Sequence, residues 1–200
     1  MSTNYEKIIH QNLSEFFAQL PQYPEKILGA KRIGNSFHIS SFAEKCCISP
    51  DMITLSDKPS FTPKAILISL YAIHANPRPM RLEPFKSFKD LPNSMPYQGA
   101  FAANSEKVLV PYVIKIREKQ RTIKDIFGGH NGLSNMGGDF SFVIYPFPKI
   151  ALCYIFYLPD EEFSASATCL FSANALSFMP LDGLADVAEY ASWKIIELVS

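Results

Sequence analysis

Residues 137–171 read GGDFSFVIYPFPKIALCYIFYLPDEEFSASATCLF, and this stretch decides the fold. Phe140, Phe142 and Ile144 alternate with Ser141 and Val143, the two-residue period of a strand with one buried face. Residues 150–158, IALCYIFYL, are almost wholly apolar, which predicts a central strand buried on both faces. PDEEFS at 159–164 makes a turn and ATCLF at 167–171 runs back, so a three-stranded antiparallel meander is expected over about 140–171. With the second turn centred on Glu161, Cys153 and Cys169 are equidistant from it and are expected to face each other across the ladder.

Helices are expected on either side of the meander. Upstream, Tyr5, Ile9, Leu13, Phe16 and Leu20 share one face of a helix over 4–20, which Pro21 and Pro24 stop. SFHIS and MITL in 36–55, with CCIS between them, read as a small hairpin region. Thr62 and Pro63 suit the cap and first position of a helix over 62–75. The proline-rich segment 76–96 reads as an irregular loop with a short helical piece near Phe85–Leu91. Successive short helices are expected over 97–127, with a break near Pro111, and Gly128 and Gly129 end them. Downstream, Leu184, Val187, Ala188, Ala191, Ile195 and Leu198 form the stripe of a helix over 181–199. Strands that follow one another, separate from the helical runs, predict a single α+β domain over 1–200: an antiparallel sheet covered by helices, including the N- and C-terminal ones.

Composition narrows the function. Lys plus Arg and Asp plus Glu each number 19, for a formal net charge of zero. Nucleic-acid binding needs clustered positive charge, so it is not expected as the main task. The basic run KIREKQRTIK at 115–124 reads as a solvated helix face. No stretch approaches the roughly 20 apolar residues of a membrane span. The start, MSTNYEKIIHQNL, has neither a basic segment nor an apolar signal core, and four cysteines are too few for a disulfide scaffold. A reduced, cytoplasmic protein is the expectation.

Three groups of residues could carry a ligand. The loop GGHNGLSNMGGD at 128–139 has five glycines in twelve positions. Such density lets backbone N–H groups converge on an anion, although neither phosphate-loop pattern is present. Gly129, His130, Asn131, Gly138 and Asp139 are its candidate contacts. The acidic turn supplies Asp160 and Glu162, and the meander should bring Asp139 near its 157–161 end. Phe88 and Tyr97, with Phe85 and Phe101, could line a pocket beside the proline-rich loop. Cys46 and Cys47 are vicinal, but no second pair at C-x-x-C spacing completes a metal site; no metal and no cofactor is assigned. The first expectation is a non-catalytic binding or accessory protein for a small molecule or a protein partner. Alternatives are an enzyme using Asp139, Asp160 or Glu162, with or without a divalent ion, and a homodimeric interaction module.

Several pieces carry a family resemblance: FKDL from Phe88, YQGAF from Tyr97, the Gly138–Asp139 pair, YPFPKIAL from Tyr145, DEEFSASATCLF from Asp160 and LDGLADVA from Leu181. Together, over roughly 60–190, they resemble the bacterial domain of unknown function numbered 3786. The resemblance implies a cytoplasmic protein of anaerobic bacteria, in a family some of whose members are joined to or accompanied by iron–sulfur domains. It implies an accessory role near redox or corrinoid-type metabolism. This chain lacks the cysteine motif of a fused cluster domain, so it would act with a cofactor held elsewhere. The resemblance supplies no catalytic residue.

Overall fold

In a computed structural model, which describes residues 4–132 and 137–200, the chain forms two antiparallel sheets and six α-helices among those residues. The α+β architecture agrees with the sequence reading, but there are two sheets rather than one.

The first sheet is a five-stranded meander of β1 (Lys31–Ile33), β2 (Ser36–Ser41), β3 (Glu44–Ile48), β4 (Ile53–Leu55) and β5 (Lys58–Pro59). It extends the small hairpin region expected over 36–55. Phe37, Ile39, Cys46, Ile48 and Ile53 alternate onto its buried face. Helix α1 (Asn4–Ala18) buries Ile9, Leu13 and Phe16, α2 (Pro24–Leu28) follows, and α3 (Pro63–Ile73) packs against α1. Thr62 is the N-cap residue of α3 without a side-chain cap bond; its hydroxyl pairs with that of Ser60 at 2.9 Å.

The second sheet has the order β6 (Lys86–Ser87), β10 (Ser166–Phe171), β9 (Ile150–Tyr157), β8 (Phe140–Phe147), β7 (His130–Asn131). The expected meander is its centre, and β9 is buried on both faces. One face, with Phe142, Leu152, Tyr154, Phe156, Cys169 and Phe171, joins the main core beside α5 (Val113–Phe127) and α6 (Leu181–Val199). Val143, Ala151, Cys153 and Ile155 form a second apolar cluster on the other face. The turn between β9 and β10 centres between Glu161 and Glu162, since Ser166 pairs with Tyr157. That half-residue difference puts Cys153 opposite Leu170 and Cys169 opposite Tyr154. The two cysteines therefore lie on opposite faces and do not oppose each other, contrary to the sequence reading.

The proline-rich segment is an ordered strap over this second cluster. Met80, Leu82 and Phe85 pack on it. Asn174 fixes the strap by accepting from Arg81 N at 2.8 Å and donating to Pro79 O at 3.0 Å. Lys149 donates to Asn76 O and Arg78 O at 2.9 and 3.1 Å; burial lowers its pKa. Asn174→Ala removes both side-chain bonds and should cost about 1–2 kcal/mol in urea unfolding, at roughly 1 kcal/mol or less per bond.

A β-bulge joins the two sheets. The register of β8 against β9 shifts between Ile144 and Phe147, where Pro146 cannot donate to a ladder. Its carbonyl instead accepts from Phe42 N at 2.9 Å. Phe42 lies at φ 51°, in the left-handed region. Its ring meets Phe147 edge-on at 5.1 Å, while Tyr71 stacks on the same Phe147 at 4.7 Å. Aromatic packing holds the unfavourable backbone in place.

Candidate functional site

The chain between Met95 and Phe127 changes helix type four times. A 3-10 turn (Met95–Tyr97) leads into α4 (Gln98–Phe101), a π-helical turn (Ala102–Glu106), a second 3-10 segment (Lys107–Tyr112) and then α5. Pro111 accounts for the second 3-10 segment: it has no N–H for the residue four positions back, Lys107, and its ring crowds that carbonyl. π-Turns inside helical runs occur frequently at functional sites.

The irregular run brings Glu106 to the edge of β10. Strand β6 has only two residues and pairs with Leu170 and Phe171 alone. Cys169 N, beyond the end of β6, would otherwise be a buried donor without a partner. Glu106 Oε1 accepts from it at 3.0 Å. Burial raises the Glu106 pKa, and the Cys169 N–H opposes that rise. Among the described residues, no Lys, Arg or His forms an ion pair with this carboxylate.

A cavity of about 200 Å³ opens beside Glu106, lined by Phe88, Phe101, Gln98, Ser87, Lys89 and Thr168 among others. Phe88 and Phe101 are parallel at 4.2 Å and buried, with Phe171 behind them. A separate polar group lies deeper in the core. Tyr154 OH lies 2.9 Å from Ser192 Oγ, which donates to Ser105 O at 2.6 Å. Burial raises the pKa of Tyr154 and of Cys169, and the Glu106 charge adds to both. At neutral pH these two groups are neutral, which leaves Glu106 as the acidic group of the site. The site can accept hydrogen bonds from a compact ligand between apolar walls, since it is smaller than the roughly 300 Å³ at which drug-sized sites begin.

Of the residues singled out in the sequence, Phe88 lines this cavity, while Tyr97 is 53% exposed. Gly129, His130 and Asn131 lie at the opposite edge, four strand spacings or about 19 Å away. There His130 Nδ1 is 2.7 Å from Asn131 O and its Nε2 is 3.1 Å from Tyr145 OH, and Lys124 Nζ donates to Asn131 Oδ1. The meander brings Asp139 to the 157–161 end: Asp139 Oδ2 accepts from Leu158 N at 2.6 Å. Asp160 Oδ1 accepts from Glu162 N and Phe163 N at 2.8 and 2.7 Å, closing the turn. Gly138 lies at φ 76°, where a Cβ would come within 2.6 Å of Ile155 Cγ2 and 2.8 Å of Phe156 O. Residues 133–136 of the glycine loop lie outside the described residues. Among the described residues, no three His, Cys, Asp or Glu side chains are grouped to hold a metal ion. No described helix is long and apolar enough to cross a membrane.

Sequence reasoning missed Glu106. The only local signal is a proline in a helical run just after a lone carboxylate, SEKVLVP; its environment comes from a contact 63 positions away.

Neither the curated proteins nor the solved structures gave a match. A family model described as Domain of unknown function (DUF3786) matches residues 21–193. The match begins well before the motifs quoted above and takes in the whole first sheet together with the Glu106 pocket. The chain belongs to this family, DUF3786.

Proposed function

We propose that the protein is a non-catalytic, small-molecule-binding accessory protein and that the Glu106 cavity is its binding site. One observation carries the reading: a half-buried carboxylate with no ion-pair partner among the described residues, at the end of a π-turn, opens into an aromatic-walled cavity. A group with a perturbed pKa in such a concavity is a mark of a functional site. The ligand class is a compact molecule with an ammonium or N–H donor for Glu106 and an apolar body for Phe88 and Phe101. Following the family resemblance, the accessory role belongs to anaerobic redox or corrinoid-type metabolism in a bacterial cytoplasm. The four free thiols support a reducing compartment. The test is a thermal-shift screen of compact amines and amides against the native protein and Glu106→Gln. A ligand at a hundred times its Kd adds about 2.7 kcal/mol, and Glu106→Gln should lose roughly half or more of that gain. Equal shifts in both proteins would place binding elsewhere.

A homodimeric interaction module is a second reading, favoured by a cleft that Ile114, Leu158 and Pro159 line with Arg117, Glu118 and Gln120. Ile114 is 57% exposed and Phe163, beyond the strand end, 69%. Sedimentation at rising concentration separates the two: a constant monomer mass supports the binder alone, whereas a dimer that Ile114→Lys dissociates supports the module.

A further inference from the structure

The vicinal cysteines have different surroundings. Successive strand residues point to opposite faces, so Cys46 enters the core at 2% exposure, where burial raises its pKa far above the ordinary thiol value. Cys47 points to the outer face and is half-buried. The same alternation keeps the two sulfurs apart, so Cys47 has no disulfide partner in Cys46. Cys153 and Cys169 are also fully buried. Cys47 is therefore the accessible thiol.

The register gives Cys47 its neighbours. Lys31, His38, Cys47 and Thr54 form one row across β1 to β4, each opposite the next. Directly opposed residues share a face, with Cβ atoms about 4.5–5.5 Å apart, so His38 and Cys47 are neighbours on the outer face of the sheet. Ser40 and Lys45, themselves opposed, form the adjoining row on that face. All six line one open cavity of about 430 Å³, with Asp57 at its rim. The rim thus carries two lysines against one carboxylate.

We propose that Cys47 and His38 form a thiol-modification site for a low-molecular-weight disulfide bearing carboxylates. His38 accepts the Cys47 thiol proton. The thiolate attacks one sulfur of the disulfide, a new S–S bond forms to Cys47, and the old S–S bond breaks. The displaced small thiolate leaves with the electron pair. The disulfide is the oxidant, and Lys31 and Lys45 hold its carboxylates. The site belongs to the first sheet and is independent of the Glu106 pocket.

The test uses the whole folded protein with oxidised glutathione, followed by intact mass and peptide mapping. The expected result is one glutathione adduct, on Cys47 and absent in Cys47→Ser. A free thiol is a few per cent ionised at pH 7, so His38→Asn should slow the second-order rate roughly tenfold. Lys31→Glu with Lys45→Glu should slow oxidised glutathione roughly fivefold and leave uncharged hydroxyethyl disulfide within about twofold, the scale of exposed charge interactions. Modification spread over the other cysteines would overturn the proposal. So would native rates in His38→Asn, or equal effects of charge reversal on both disulfides.

Discussion

Glu106→Gln is expected to raise the melting temperature above the carboxylate range and to weaken ligand binding. Glutamine can still accept from Cys169 N, so the edge of β10 keeps its partner. Only the charge is lost. Burial raises the folded-state pKa of Glu106 above its unfolded value. Its stabilising contribution is therefore complete below the unfolded carboxylate range, near pH ~4, and is lost as pH rises through the raised folded value. Above that raised value the ionised carboxylate sits in a half-buried site and works against folding. The native and variant proteins should differ little below about pH 4, and the variant should melt a few degrees higher at pH 7–8. Binding should move in the opposite direction: losing one hydrogen bond to a charged group weakens a ligand roughly tenfold to a hundredfold. A residue that lowers stability while supporting binding is what a functional site predicts. Equal stability of the two proteins at all pH values would mean that Glu106 is solvated and that the pocket has no special charge.

Gly129→Ala should be among the most damaging single-methyl changes in the second sheet, at about 3 kcal/mol. A Cβ at this position would lie 2.2 Å from Val143 O. Both partners are backbone, so β7 must separate from β8, an overpacking cost of roughly 1–3 kcal/mol or more. Gly128 next to it is a useful contrast. It ends α5 at φ 63° with open space around its Cα, so Gly128→Ala should cost only about 1 kcal/mol from the left-handed backbone. Denaturant unfolding of the two variants separates close approach from conformational freedom as the reason for the glycine pair. Similar small losses would show that β7 is loosely held.

The elements legible in the sequence are those whose own residues are sufficient to define them. The apolar run 150–158 could be buried only on both faces, and the stripe from Leu184 to Leu198 could be only a helix; both are found as read. The exact register was not legible, because half a residue in the turn at 161–162 moves Cys153 to the other face. Strands β1 and β5 are three and two residues long with every residue on the exposed side, so no hydrophobic pattern marks them. The strap was seen as proline-rich, but its order comes from Asn174 and Lys149, far along the chain. Both proposed sites depend on such contacts. Phe88 was singled out, but its partner Glu106 meets the pocket only through β10. The Cys46–Cys47 pair is plain in the sequence, yet His38 becomes its neighbour only once the β2–β3 register is known.

Native mass spectrometry of the protein and of Glu106→Gln, both purified without oxygen, tests the binding role most directly. A small-molecule adduct on the native protein that is absent from the variant is the predicted result. The same adduct on both proteins, or bare chains in both with no thermal shift from any compact amine or amide, would contradict it.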